Sequence, residues 1–206
     1  MAQLSGGQKK RAKESGVTLL YTPFAREAFV FIVNADNPVN SLTEQQVRDI
    51  FSGAITNWRT VGGNDQEIQT WQRPEDSGSQ TVMQSQVMKN VRMISPQETE
   101  VASVMEGMIK VVAEYRNTNN AIGYTFRYYA TQMNADKNIK LLAINGITPT
   151  AENIRNGKYA YIVDAFMVTR ENTTSETQKL VEWFLTPQGQ SPVEDVEYVP
   201  LYKTLH

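Results

Sequence analysis

Cysteine is absent from the sequence, and histidine occurs once, as His206, the last of 206 residues. Without cysteine there is no disulfide, no thiolate metal ligand and no cysteine nucleophile. With a single terminal histidine, neither a histidine-based triad nor a histidine-rich metal centre can be assembled. An excess of either charge is missing too: 20 Lys and Arg face 22 Asp and Glu, a formal net charge of −2. That balance gives no electrostatic reason to expect nucleic acid or an anionic membrane surface as a partner. Nor does any run approach the ~20 apolar residues that cross a bilayer. Residues 1–15 are polar and basic, without the apolar stretch of a signal peptide. No catalytic pair, metal or cofactor is expected from this inventory, and the chain reads as a non-enzyme.

What is present is an ordinary globular balance, 40% hydrophobic and 20% charged, in a length that suits one large domain or two small lobes. Residues 18–21 and 28–33 are β-branched and aromatic, bounded by Gly16, Pro23 and Asn34, and read as two strands. Ser41-Leu42-Thr43-Glu44 has the form of a capping box, followed by Val47, Ile50 and Phe51 at helical spacing and a stop at Gly53. A strand over 67–71 leads into Arg73, and a helix is expected over 79–88. Ser95-Pro96-Gln97-Glu98 is a second capping box, with Val101, Val104, Met105, Met108, Ile109 and Val112 forming a core-facing stripe behind it. Residues 121–125, 139–144 and 159–168 read as strands. A final helix capped by Ser175 carries Leu180, Val181, Phe184 and Leu185 and ends near Pro187 and Gly189. Strands alternating with helices predict an α/β fold.

Two local patterns invite a chemical reading. Leu4-Ser5-Gly6-Gly7-Gln8 spells the signature loop of ABC-transporter ATPases. That loop works only beside a phosphate-cradling G-x-x-x-x-G-K-[ST], which the sequence lacks, so the match is a coincidence. The second pattern is Arg73-Pro74-Glu75-Asp76-Ser77-Gly78-Ser79-Gln80, between a strand and a helix. Free N–H groups at a helix start favour an anion, Gly78 permits close backbone approach, two serines add hydroxyls and Arg73 adds a planar fork. The same residues also read as a plain cap, Ser77 to Gln80, with Arg73 paired to Glu75 or Asp76. The aromatic cluster Tyr124, Phe126, Tyr128 and Tyr129 reads as strand core and helix packing rather than as a binding face.

Taken together, several segments resemble the phosphate-binding proteins of phosphate-specific ABC importers. The family's N-x-x-N-P-V stands here as Asn34 to Val39. Its L-T-x-x-Q-(V/L)-x-x-I-F-S-G-x-I-x-N-W is matched by Leu42 to Trp58, and V-G-G by Val61, Gly62 and Gly63. The R-x-x-x-S-G-(S/T) phosphate loop is matched by Arg73, Ser77, Gly78 and Ser79. Later matches are Asn120 to Tyr124, Leu185 to Gln190 and Tyr198 to Leu201. Ser79 stands where Thr is common, and Tyr159-Ala160-Tyr161 lacks the family's Y-P-L-x-R-P.

The resemblance implies a two-lobed periplasmic-binding-protein-like (type II) α/β fold, with lobe 2 complete and lobe 1 partial. Residues 1–36 and 165–206 would form the partial lobe 1 with its hinge strands, and 37–164 lobe 2. The chain would cross between lobes near 33–39 and again near 158–166, and would lack about the first 100 residues of the family. It implies inorganic phosphate as ligand, bound by Arg73, Ser77, Gly78, Ser79 and Gln80 and buried by hinge closure. A membrane ABC permease is the implied partner, and the implied location is extracytoplasmic. Apolar faces left open by a partial lobe, the 180–185 helix among them, lead us to expect self-association. Two other readings stay open: another tetrahedral oxyanion such as sulfate, or a structural domain with no ligand.

Overall fold

A 16-residue strand, β1 (Leu19–Asn34), organises the whole chain. The computed structural model describes residues 4, 6–89, 91–95, 101–103, 105–114, 120–133 and 136–201. Before β1 lies helix α1 (Gly6–Glu14), which buries none of its residues. After it come β2 (Ser41–Leu42), α2 (Glu44–Ser52), a 3-10 turn (Trp58–Val61), β3 (Gln69–Thr70) and α3 (Gly78–Val82), which continues as a π-helical stretch (Met83–Met88). Then follow α4 (Met105–Glu114), β4 (Ala121–Phe126), a second π-helical stretch (Tyr129–Met133), β5 (Ile139–Leu141), β6 (Ala143–Ile144) and α5 (Ala151–Arg155). Strand β7 (Ile162–Arg170), α6 (Ser175–Phe184), α7 (Pro187–Asp195) and β8 (Val199–Pro200) complete the order. Among the described residues no helix is long and apolar enough to cross a membrane.

The two halves of β1 have different partners. From Leu19 to Ala28 it runs antiparallel to β7, with β8 beside Ala25 and Arg26. From Phe29 to Val33 it runs antiparallel to β4, and Ile32 to Asn34 also pair with β5. Strand β3 extends this side, parallel to β4. Residues 27–33 are buried on both faces, so this stretch is an apolar run rather than an alternation. Against it pack Val47, Ile50 and Phe51 of α2, Met83, Val87 and Met88 of the π-helical stretch, and Met108, Ile109 and Val112 of α4. A second, small cluster of Ala25, Ala165 and Val193 lies on the β7 side.

Several expectations shift. Pro23 does not divide two strands, because a register irregularity between Pro23 and Ala25 absorbs it and β1 continues. The carbonyl of Phe24 there accepts from the buried Gln190 Nε2 at 2.9 Å. The first capping box is Thr43 with Gln46, not Ser41 with Glu44, since Ser41 and Leu42 are already paired as a strand with Ala143 and Ile144. The expected strand over 139–144 divides into β5 and β6, which pair with β1 and β2 respectively. Thr174, not Ser175, caps α6. The Pro187 region starts a further helix instead of ending one, because Thr186 caps it and Pro187 occupies the first turn, where a missing N–H costs nothing. Residues 96–98 of the second box and Val104 lie outside the described residues, whereas Met108, Ile109 and Val112 are buried as expected. On α6, Leu180 and Trp183 are exposed.

Glu27 sits just before β1 changes partner, with only 5% of its surface exposed. Its carboxylate accepts from Ala28 N at 2.7 Å and from Tyr128 N at 3.1 Å. Burial raises its pKa from 4.5 to about 7, opposed by those two backbone donors and by the Arg127 guanidinium. Because the folded value lies above the unfolded one, the associated stability is fully present below pH 4.5 and is lost as pH rises to about 7. The loss is on the order of 3 kcal/mol. Urea unfolding measured between pH 4 and 8 should therefore show that Glu27→Gln removes this downward slope. Parallel curves for the two proteins would contradict it.

Candidate anion-binding turn

The turn begins where the β3–β4 ladder runs out. Trp71 N still donates to Ile122 O at 2.9 Å, and the next residue, Gln72, bridges in parallel to Val101. Arg73 then leaves the ladder. Its backbone N donates to the Tyr124 hydroxyl at 3.1 Å and its Nη1 to Ala102 O at 2.6 Å. Ser77 N closes a tight turn onto Pro74 O at 2.9 Å. Ser77 then caps α3 in an extended conformation (φ −79°, ψ 145°), its Oγ accepting from Gln80 N at 3.2 Å. The cap expected from the sequence is thus present.

The alternative role for Arg73 is not. Glu75 and Asp76 are exposed, while Arg73 is 9% exposed and forms no ion pair among the described residues. Burial pulls its pKa below the ordinary arginine value, with Tyr124 acting in the opposite sense; an arginine nevertheless stays protonated. Its Nε–H is buried and meets no acceptor among the described residues. Ser79 is fully buried and its Oγ likewise has no partner among them. Native interiors rarely leave such groups unpaired, so two in one turn point to a ligand.

The five residues expected at this site divide by role. Arg73 and Ser79 supply the buried donors. Ser77 and Gly78 are half-exposed and form the open side of the turn. Ser77 Oγ accepts from the helix and keeps its own proton to donate, and the backbone N–H groups of Gly78 and Ser79 belong to the helix start, where no intrahelical acceptor exists. Gln80 serves the turn itself: its N–H goes to Ser77, and its Oε1 accepts from the Tyr124 hydroxyl. Every free group can donate, although the serine hydroxyls can accept as well, and this suits an oxygen-rich anion. Among the described residues no cluster of His, Cys, Asp and Glu could hold a metal ion.

Sequence reasoning gave Tyr124 only a packing role. Its ring is fully buried, and its hydroxyl bridges Arg73 to Gln80. The signal was a lone tyrosine in a strand buried at every residue, where a phenol needs a polar partner. Burial holds this hydroxyl well above the ordinary phenol range, so it is neutral and can both donate and accept.

The sequence matches the family described as PBP superfamily domain over residues 3–188. It is similar to the phosphate-binding protein PstS of Bacillus subtilis, 28% identical over 170 residues, covering 82% of this chain and 53% of that protein. PstS of Borreliella burgdorferi is 26% identical, with 84% and 63% covered. The chain spans about half to three-fifths of the length of these curated relatives. Among solved structures, a Clostridium perfringens protein described as a substrate-binding protein, with bound phosphate, aligns at a TM-score of 0.77 and 25% identity, over 98% of this chain and 77% of that one. An ABC-type phosphate transport receptor from Vibrio cholerae gives 0.72 at 25% identity, over 88% and 72%. These likenesses bear out the α/β fold of periplasmic-binding-protein type.

A buried hydroxyl without a partner costs the fold about 1 kcal/mol or more. Ser79→Ala should therefore raise the unfolding free energy of the ligand-free chain by about that amount in urea titrations. A loss of stability instead would show that the hydroxyl is satisfied.

Proposed function

Because the chain belongs to the PBP superfamily, we propose that it is a solute-binding component of an ABC importer that holds inorganic phosphate at the Arg73–Ser79 turn. The observation that carries this reading is the pair of buried, unpaired donors, Arg73 Nε and Ser79 Oγ, in one capped turn. The guanidinium supplies charge and a planar fork, and the two serine hydroxyls and the Gly78 and Ser79 N–H groups supply further donors. On this reading the protein is a binder and not an enzyme. It works outside the cytoplasm and passes its ligand to a membrane permease. The ligand lies between two lobes, residues 37–164 on one side and 1–36 with 165–206 on the other. The change of partners along β1 at Ala28 and Phe29 supports a two-part division, with residues 29–34 counted on the side of β4 and β5 rather than with 1–28.

Sulfate is the second reading, favoured by the same donor-rich lining. A hydroxylated anion gains from an acceptor beside its proton, whereas sulfate is repelled by one. Apart from the serine hydroxyls, which both donate and accept, the free groups of the turn are donors, so these groups carry no charge that repels sulfate.

Hydrogen bonds to a charged ligand contribute about 1.5–3 kcal/mol each, so three or four give about 5–10 kcal/mol gross. Association costs at least about 4 kcal/mol. The net is therefore at most about 6 kcal/mol, an affinity no tighter than tens of micromolar and millimolar at the middle of the range. Isothermal titration should show weak, saturable phosphate binding, displaced by sulfate and abolished by Arg73→Gln. No saturable binding of either anion, or binding indifferent to Arg73→Gln, would overturn the assignment.

A further inference from the structure

Two donors on different elements serve one anion only if their separation is held to within about half an ångström. Arg73 ends the strand side of the turn, and Ser79 belongs to the helix side. Among the described residues the Tyr124 hydroxyl spans that gap, accepting from Arg73 N at 3.1 Å and donating to Gln80 Oε1. The ring behind it is clamped by three others. Its centroid lies 5.4 Å from that of Phe29, 6.5 Å from Phe31 and 5.5 Å from Phe51. All three are fully buried, two on β1 and one on α2. The hydroxyl is therefore a fixed point delivered by the core to the edge of the site.

We propose that Tyr124 is the positioning residue of the turn, its hydroxyl setting Arg73 against the first turn of α3 so that Arg73 Nε and Ser79 Oγ address one ligand. This rests on the anion reading given above. Phenylalanine at this position would keep the ring packing but leave Arg73 N without its acceptor and Gln80 Oε1 without its donor. Both are buried, so each would seek a new partner and the two sides of the turn would drift apart. Gln80 belongs to the same device from the other side, because its Oε1 is held by Tyr124 while its N–H is held by Ser77.

The test measures inorganic phosphate and nitrate affinities of the full chain by NMR titration, for the wild type, Tyr124→Phe, Gln80→Met, their double variant and Arg73→Gln. Tyr124→Phe should weaken phosphate about tenfold, the loss of roughly one hydrogen bond's worth of alignment. Gln80→Met should weaken it comparably, and the double variant should be no worse than either single change, because both break one bridge. The phosphate-to-nitrate affinity ratio should fall as well, since a misaligned donor pair loses its match to a tetrahedral ligand. A merely destabilised protein would lose both anions in proportion. Unchanged phosphate affinity in folded Tyr124→Phe, or penalties that multiply in the double variant, would overturn the positioning role. If Tyr124→Phe does not fold, Gln80→Met decides alone: wild-type affinity and ratio sink the idea. Wild-type binding lost in Arg73→Gln but kept in Tyr124→Phe defeats this inference and leaves the anion reading standing. Absence of binding in the wild type defeats both.

Discussion

Strand β1 is buried on both faces from residue 27 to 33, and that burial is the constraint from which the rest follows. Each of its backbone N–H and C=O groups must be met inside the protein. No single neighbouring strand does this. β7 and β8 serve the first half, and β4 and β5 serve the second. At the join Phe29 N donates to Tyr161 O, and Phe29 O accepts from the Tyr159 hydroxyl at 3.2 Å. The same demand explains why Gln190, far along the chain, is buried: its amide meets the Phe24 carbonyl exposed by the bulge, while its oxygen accepts from Leu201 N. Helix α7 reaches this position only because Gly189 lacks a Cβ, which would fall 2.0 Å from Trp183 O.

The candidate site spends some of the stability that this core provides. Desolvating an unpaired donor costs about 1–3 kcal/mol, and the turn, in which Ser77 and Gly78 are half-exposed, carries two such donors. Such groups would relax toward any nearby acceptor if they could. Arg73 is prevented by its anchors at Tyr124 and Ala102, and the helix start by the Ser77 cap. The aromatic packing around Tyr124 thus does more than fill space. On the proposed reading it holds Arg73 and the helix start apart, as a preorganised anion site requires.

The sequence disclosed those parts of the molecule that are written in local chemistry. The apolar spacing of Val47, Ile50 and Phe51, the stop at Gly53 and the Ser77 cap all stand where reading placed them. Element boundaries were less legible, because they depend on tertiary pairing. Ser41 looked like a cap until its strand pairing with Ala143 claimed it, and Pro23 looked like a break until a bulge absorbed it. Arg73 had two carboxylates, Glu75 and Asp76, within easy reach along the chain, so only its burial separated a surface ion pair from an inward-facing guanidinium. Tyr124 was missed for the same reason. Its partners are 51 and 44 residues away, beyond what any local pattern encodes.

Burial along β1 is uneven, and the unevenness says where this fold can give. Leu20 and Tyr21 are exposed, and the register is irregular between Pro23 and Ala25. Bending there disturbs little packing. Beyond Phe29 every residue to Val33 is fully buried, and Phe29 itself packs at a tilt against Tyr124. A bend on that side would pull on the ring that holds the turn. Glu27 marks the boundary, tying β1 to the start of the helical segment at Tyr128 through a buried carboxylate. A lobe movement of the kind proposed would therefore concentrate on the β7 side of Glu27. The turn would travel as a rigid part of the other lobe, its donors already set before any ligand arrives.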